Sequence, residues 1–540
     1  MHADLSRITH RPERHYSAVV AQQGRVQLDA DANEQTVIQL FQARTLAADL
    51  IGAHGGPHGA TGFKIDLRGG PHELDDLVIG GGRYYVDGIL CDATRPRPGT
   101  PVPTATAPKE DREDEEEADG DAPTAPSVPS ASETWTYWDQ PDGHRDPERP
   151  GDRLPSQFPY LVYLKVWERL VTAAEDPALR EVALGAALPD TAARAKVVWQ
   201  VLPLPASELG LDGDNPPADD IRTAFDRWAQ QAAAPGCRLA ARSERPDHAD
   251  DDPCLVAPEA RYRGPENQLY RVEVHEGGTA KDATFKWSRE NGSPTFPVDE
   301  LDGTWVQLAS LANDDKLSLH VGDWVEFVDT GYASRGEAAP LLRVAEVDLP
   351  GRRVRLSDEP APGVGRRPEL HPFLRRWDHQ EAGRKTVRRG DQPGRLRHGA
   401  VPVEEGGWLP LEDGVEVYFE AGGSYRTGDF WLIPARTATG GVEWPTDRAR
   451  RPLLQHPSGI VVHHAPLAWV HGEQAVPDLR FAFRPLATGI QAADAAAQTQ
   501  GSGGVGTLST GAAGGASPKQ PRSQTTAEAE AQVDEQGVAD

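Results

Sequence analysis

The sequence predicts a mainly β, multidomain protein with a few helices (α+β). Its expected parts are a β-meander or sandwich-like core, a small β-barrel, an N-terminal helix, and a disordered acidic insertion and tail. Three observations predict this. Short runs of alternating apolar and polar residues recur along most of the chain, the period of half-buried strands. The 54 glycines and 47 prolines interrupt those runs at short intervals. Stretches at helical spacing are few. With 540 residues the chain is too long for one ordinary domain, and about two to four are expected.

The first region, 1–92, holds an arm, a helix and the first strands. Residues 4–23 are polar and basic, with Arg7, Arg11 and Arg14 beside Tyr16, and Arg25 follows. Asp29 or Asp31 can cap a helix starting near Ala32, in which Val37, Leu40, Phe41, Arg44, Ala48 and Ile51 fall at helical spacing. Gly52 and the cluster 55–57 stop it. Strands are expected at 77–79 and 83–91. Region 93–134 is rich in Pro, Ala, Thr and Ser and carries the acidic run 110–117. It has little to bury and repels itself, so it reads as a disordered insertion looped out between two strands.

A central β-rich domain is expected over 135–300. It opens at Trp135, and the near-continuous apolar run 160–169 reads as a central strand containing Trp167. Another strand falls at 194–202, and 218–234 is helical, with Ile221, Phe225 and Trp228 on one face. The middle of the chain is organised around 269–275 and 285–293, two alternating runs that form a meander. Phe285 and Trp287 alternate with Thr284, Lys286 and Ser288, and Asn291-Gly292 is a hairpin signal because both residues tolerate positive φ. Nothing in this meander is arranged like an active site.

Short strands divided by Gly and Asp turns give a barrel-like domain over 301–365. A C-terminal β-rich segment, 366–486, includes a strand pair at 415–419 and 429–433, the second with Trp431. The tail 487–540 is composed of Ala, Gly, Ser, Gln and acidic residues and reads as disordered. Trp167, Phe285, Trp287 and Trp431 are the expected core aromatics, since alternation on strands favours burial over a sugar-binding groove.

The net charge of −27 argues against nucleic-acid binding by the surface as a whole. Cys91, Cys237 and Cys254 form neither a disulfide framework nor a zinc motif. The start of the sequence lacks the apolar run of a signal peptide, and no run is long enough to span a membrane directly. Synthesis in the cytoplasm is the expectation. His463-His464 lacks a third metal ligand, and Asp29, Asp31 and Glu34 lack the glycine and distal Glu of a calcium loop. No nucleophile elbow, P-loop or dinucleotide fingerprint occurs. No catalytic residue, cofactor or metal is therefore expected. The basic stretch 366–398, with Arg375, Arg376, Arg388 and Arg389, is either a solvated loop or a surface for an acidic partner.

Four segments together resemble a known family: 16–35, 166–185, 266–292 and 425–437. Their marks include Gln23-Gly24-Arg25-Val26-Gln27-Leu28-Asp29-Ala30-Asp31, Val166-Trp167-Glu168-Arg169, Phe285-Lys286-Trp287-Ser288-Arg289-Glu290-Asn291-Gly292 and Thr427-Gly428-Asp429-Phe430-Trp431. The chain resembles a large bacterial family whose genes tend to sit beside those of phage-tail-like contractile injection systems. The resemblance covers most of 4–486 and implies a structural part of such a particle, at the baseplate or the root of a fibre. It implies partners among the other subunits and a homo-oligomer within the assembly, and it carries over no catalytic residues, since the family has none established. A receptor- or glycan-binding fibre module and a cell-wall hydrolase are the competing readings. Arg7, Arg11, Arg14, Tyr16 and Arg25, with Arg375, Arg376, Arg388 and Arg389, are the expected interface residues.

Overall fold

The computed structural model describes residues 2–485 apart from 71–72, 97–133, 186–187, 212, 214–215, 245–260, 312–315, 381–395 and 473–475. The chain is mainly β, with several sheets and four α-helices among the described residues. Met1–Arg484 is one compact unit. The expected disorder of 93–134 and 487–540 falls almost wholly outside the described residues.

The apolar run at 160–169 forms the strand Tyr160–Val171, in the middle of a three-stranded sheet between Arg194–Pro205 and Val462–Val470. One face of this sheet packs on Leu77, Ile79, Tyr84 and Val86. The other is covered by the helix Ala218–Ala233, which buries Ile221 and Phe225 against Leu161, Tyr163 and Trp469.

A sandwich follows. A five-stranded sheet runs in the order Val401–Pro402, Thr284–Ser288, Gln268–Val274, Phe430–Arg436, Gly441–Val442. It faces a three-stranded sheet of Trp408–Pro410, Val415–Phe419 and Leu239–Ser243, with one apolar core between them. The strands near 415 and 430 thus do not pair with each other, as their sequence neighbourhood suggested. Each completes a sheet begun by residues about 160–180 positions earlier. The regions 135–300 and 366–486 share these sheets, and no boundary falls between them.

The barrel is closed and six-stranded: Thr295–Asp302, Trp305–Leu308, Arg353–Leu356, Leu342–Asp348, Trp324–Val328 and Phe373–Trp377. It begins before residue 301 and continues past 365, because Phe373–Trp377 closes it against Thr295–Asp302 and Trp324–Val328. The Asn291-Gly292 turn has positive φ at both residues, 51° and 65°. It does not close a hairpin. It redirects the chain from the five-stranded sheet into the barrel, since Thr284–Ser288 and Thr295–Asp302 pair with other strands.

The described ends of the acidic insertion are held together. Trp135 Nε1 donates to Ala93 O at 3.0 Å, and Arg95 Nη1 donates to Thr134 O at 3.0 Å and Asp139 Oδ2 at 2.7 Å. The sequence reading of 93–134 as an insertion predicts protease cleavage there, and the bonds between its described ends predict that the two fragments co-elute natively. Separation of the fragments without denaturant would contradict this pinning.

Candidate functional site

The site is built on two neighbouring strands. Gln268–Val274 and Thr284–Ser288 run antiparallel, with Val272 opposite Trp287, Glu273 opposite Lys286 and Val274 opposite Phe285. Successive side chains point to opposite faces of a strand. Tyr270, Val272, Val274, Phe285 and Trp287 enter the sandwich core. The opposite face carries Arg271, Glu273, Lys286 and Ser288, with His275 just beyond the strand end, and it is buried too: Arg271 and His275 are 1% exposed and Lys286 3%. The barrel covers it, bringing Glu326, Arg375 and Trp377 against these groups.

Charges removed from water must be paired closely to persist. Glu273 is the hub. Its Oε2 accepts from Arg271 Nε at 2.6 Å and from His2 Nε2 at 2.8 Å, and its Oε1 lies 3.3 Å from Lys286 Nζ. Lys286 Nζ reaches across to Glu326 Oε1 at 2.8 Å and stands 4.5 Å above the Trp377 ring. Trp377 Nε1 donates to Glu326 Oε2 at 3.1 Å. Arg271 stacks on Phe430 at 3.7 Å and donates to Asn291 Oδ1, while Asn291 Nδ2 holds Ala3 O at 2.9 Å. Arg375 donates through Nε to Gly292 O at 3.1 Å.

Burial pushes the Glu273 carboxyl up, but Arg271 and Lys286 outweigh it and hold the group well below the usual carboxylate range. Glu326 is held low in the same way by Lys286 and Arg375. Burial, then Lys286, pulls His275 down to about 4. Burial, then Arg271 and Arg375, pulls His2 well down as well. Both imidazoles are neutral at neutral pH and both carboxylates are ionised. A cavity of about 130 Å³ opens among these groups. It extends to the end of the strand Tyr160–Val171 and to the short helix Thr330–Arg335.

A family model described as a family of unknown function (DUF6519) matches residues 1–127, 152–212 and 206–537. The chain belongs to that family. No curated protein and no solved structure matches it. In this DUF6519 chain, the stretches 266–292 and 425–437 both border the cavity, through Arg271, His275 and Lys286 on one side and Thr427 and Gly428 on the other.

Most of the expected interface residues lie elsewhere. Arg11, Arg14, Tyr16 and Arg25 are exposed and have no side-chain hydrogen bond or ion pair among the described residues. Arg7 pairs with Glu443 at 3.1 Å, a surface contact of small energetic weight. Arg375 and Arg376 are not displayed on a loop. They lie in the buried barrel strand Phe373–Trp377, where Arg376 Nη1 donates to Lys316 O and Ser318 O. Arg388 and Arg389 fall outside the described residues. Phe285, Trp287 and Trp431 share the sandwich core, and Trp167 is buried at the edge of the cavity. His463 turns to Asp87 and His464 packs between Tyr163 and Trp228. Among the described residues no group of three His, Cys, Asp or Glu side chains is placed to hold a metal, and no helix is long and apolar enough to cross a membrane.

The cluster sets a pH dependence. Unfolded, His275 takes a proton near 6.5; folded, it resists until about 4. Between those values the unfolded state binds more protons, so stability falls as pH falls. Glu273 and Glu326, held below their ordinary value, add their loss only at lower pH. The melting temperature is expected to decline from about pH 6.5 downward, above the carboxylate range. Replacing His275 by Gln should remove roughly 3 kcal/mol of that decline by pH 4. A pH profile of thermal unfolding unchanged by His275→Gln would rule out this assignment.

Proposed function

We propose that this chain is a non-enzymatic structural subunit of a phage-tail-like contractile injection particle, at or around its baseplate or a fibre attachment point. The observation that carries the reading is an apolar surface the chain leaves in water. From 11 to 28 every residue except Val19 is exposed, including Tyr16, Val20, Val26 and Leu28. The helix Asp29–Ile51 buries two side chains, Ala30 and Ile38, while Phe41 is 48% exposed and Leu50 73%. The helix is nonetheless fixed in place: Arg44 grips Glu168 with two bonds of 2.7 and 2.6 Å. A rigid, exposed apolar face of this kind is what a neighbouring subunit covers. The resemblance of the four sequence segments supplies the kind of particle. Within the charge cluster Glu273 and Glu326 are both held ionised, so this pair lacks the protonated member that hydrolysis by paired carboxyls needs.

The segment is an excursion tied at its base, not a free arm. Ser6 donates to Asp29 from N and Oγ, Thr9 Oγ1 donates to Glu34, and Val19 N donates to Gln35 Oε1. Asp31 accepts from Leu28 N and caps the helix, which starts at Asp29. Deleting 1–24 would also remove His2 and Ala3 from the charge cluster, so it would not leave stability unchanged. The clean test replaces 11–25 by a short glycine linker. The variant is expected to fold and melt as the full chain does, yet to be missing from purified particles seen by negative-stain imaging. Normal occupancy of the variant would place the anchoring surface elsewhere.

A further inference from the structure

The cavity between the five-stranded sheet and the barrel is lined by two residues whose side-chain donors lack partners among the described residues. Its lining includes carboxylates whose partners stand close by. Glu168 is held by Arg44, Glu337 by Arg149 and Arg335, and Glu175 by Arg169. What remains is three cations, Arg271, Lys286 and Arg375, against two carboxylates, Glu273 and Glu326.

Both residues with unused donors belong to the cavity lining. His275 is 1% exposed, and neither of its ring nitrogens has a hydrogen-bond partner among the described residues. Arg375 makes one side-chain hydrogen bond among the described residues, through Nε to Gly292 O, which leaves its two terminal nitrogens without one. Both residues line the cavity. A buried imidazole with neither nitrogen satisfied is costly, and native proteins meet such groups with a ligand or water.

The geometry points to a binding site for a small free monocarboxylate, of about the size of acetate or propionate, held by Arg375 from the barrel and His275 from the sheet. A planar guanidinium matches a carboxylate in charge and shape, and the neutral imidazole adds one N–H donor. The volume of about 130 Å³ is close to that of cavities that accept a benzene-sized guest. His2, with 22% of its side chain exposed, also lines the cavity and bonds Glu273. A ligand here bridges two substructures and ties the barrel to the sandwich.

The test uses the full chain. Thermal unfolding is followed at neutral pH with increasing sodium acetate, against sodium sulfate at equal ionic strength. Acetate is expected to raise the melting temperature saturably by a few degrees, as a ligand of the native state does. The saturable rise should be lost in Arg375→Gln and in His275→Leu. No saturable rise in the wild type, or one that survives in both variants, overturns the site. An equal saturable rise in sulfate that both variants abolish overturns the monocarboxylate assignment. If either variant fails to fold, a wild-type crystal structure in acetate decides: planar density spanning Arg375 and His275 supports the site, and separate water peaks overturn it.

Discussion

Replacing Lys286 by Met is expected to lower the free energy of unfolding by about 3–5 kcal/mol, the usual cost of removing one partner from a buried ion pair. Met keeps the length and apolar stem of the side chain, so the loss is mainly electrostatic. Lys286 is 3% exposed and its Nζ lies within 3.3 Å of both Glu273 and Glu326. Without it, Glu326 keeps Trp377 Nε1 and the Tyr332 hydroxyl but loses its nearest cation. Glu273 keeps Arg271 and His2. The double variant Lys286→Met with Glu326→Gln removes one charge of each sign and is expected to recover most of the loss, since neutral replacement of a buried pair is often tolerated. The deficit of the single variant should also shrink in acid, where the abandoned carboxylate can take a proton. Denaturant titrations with an unchanged slope measure both effects. A single variant within about 1 kcal/mol of wild type would mean that water reaches the cluster and screens it. A double variant no more stable than the single would mean that Lys286 acts through packing on Trp377.

The cluster shows what the sequence did and did not disclose. Alternation along 269–275 and 284–288 revealed the strands and which residues share a face. It could not say that the polar face is covered, because a period of two looks the same whether that face meets water or another domain's charges. The cover comes from Glu326 and from Arg375, in the strand Phe373–Trp377, far along the chain from Lys286. Arg375-Arg376 stands in a basic stretch, and basic stretches are usually solvated, so its burial was not visible. Local chemistry read better. Asn291 and Gly292 adopt the positive φ their types favour, and the face of Ile221 and Phe225 fixes the helix Ala218–Ala233. Pairings such as Val272 with Trp431 join strands about 160 residues apart, and alternation carries no information on which distant strand supplies the neighbour.

The opposite face of the same strand gives the second large effect. Trp287→Ala is expected to cost about 3–5 kcal/mol, the usual range for deleting a buried large aromatic. Trp287 is 5% exposed, its ring lies 6.0 Å from that of Tyr270, and its cross-strand neighbour is Val272. Tyr270 cannot swing in to fill the space, because its hydroxyl is committed to Glu412 at 3.1 Å. The Trp287 carbonyl also receives Asp378 N at 2.9 Å just beyond the strand Phe373–Trp377, so a collapse of the strand toward the cavity would strain the junction with the barrel. Trp287→Phe keeps a ring in place and should lose clearly less than the alanine variant. Lys286 and Trp287 are chain neighbours on opposite faces. If each acts through its own side, the two losses should add to within about 0.5 kcal/mol in the double variant. A strongly non-additive result would show that the strand moves as a unit between core and barrel. A Trp287→Ala protein that unfolds at the wild-type denaturant concentration would show that the core closes around the missing ring.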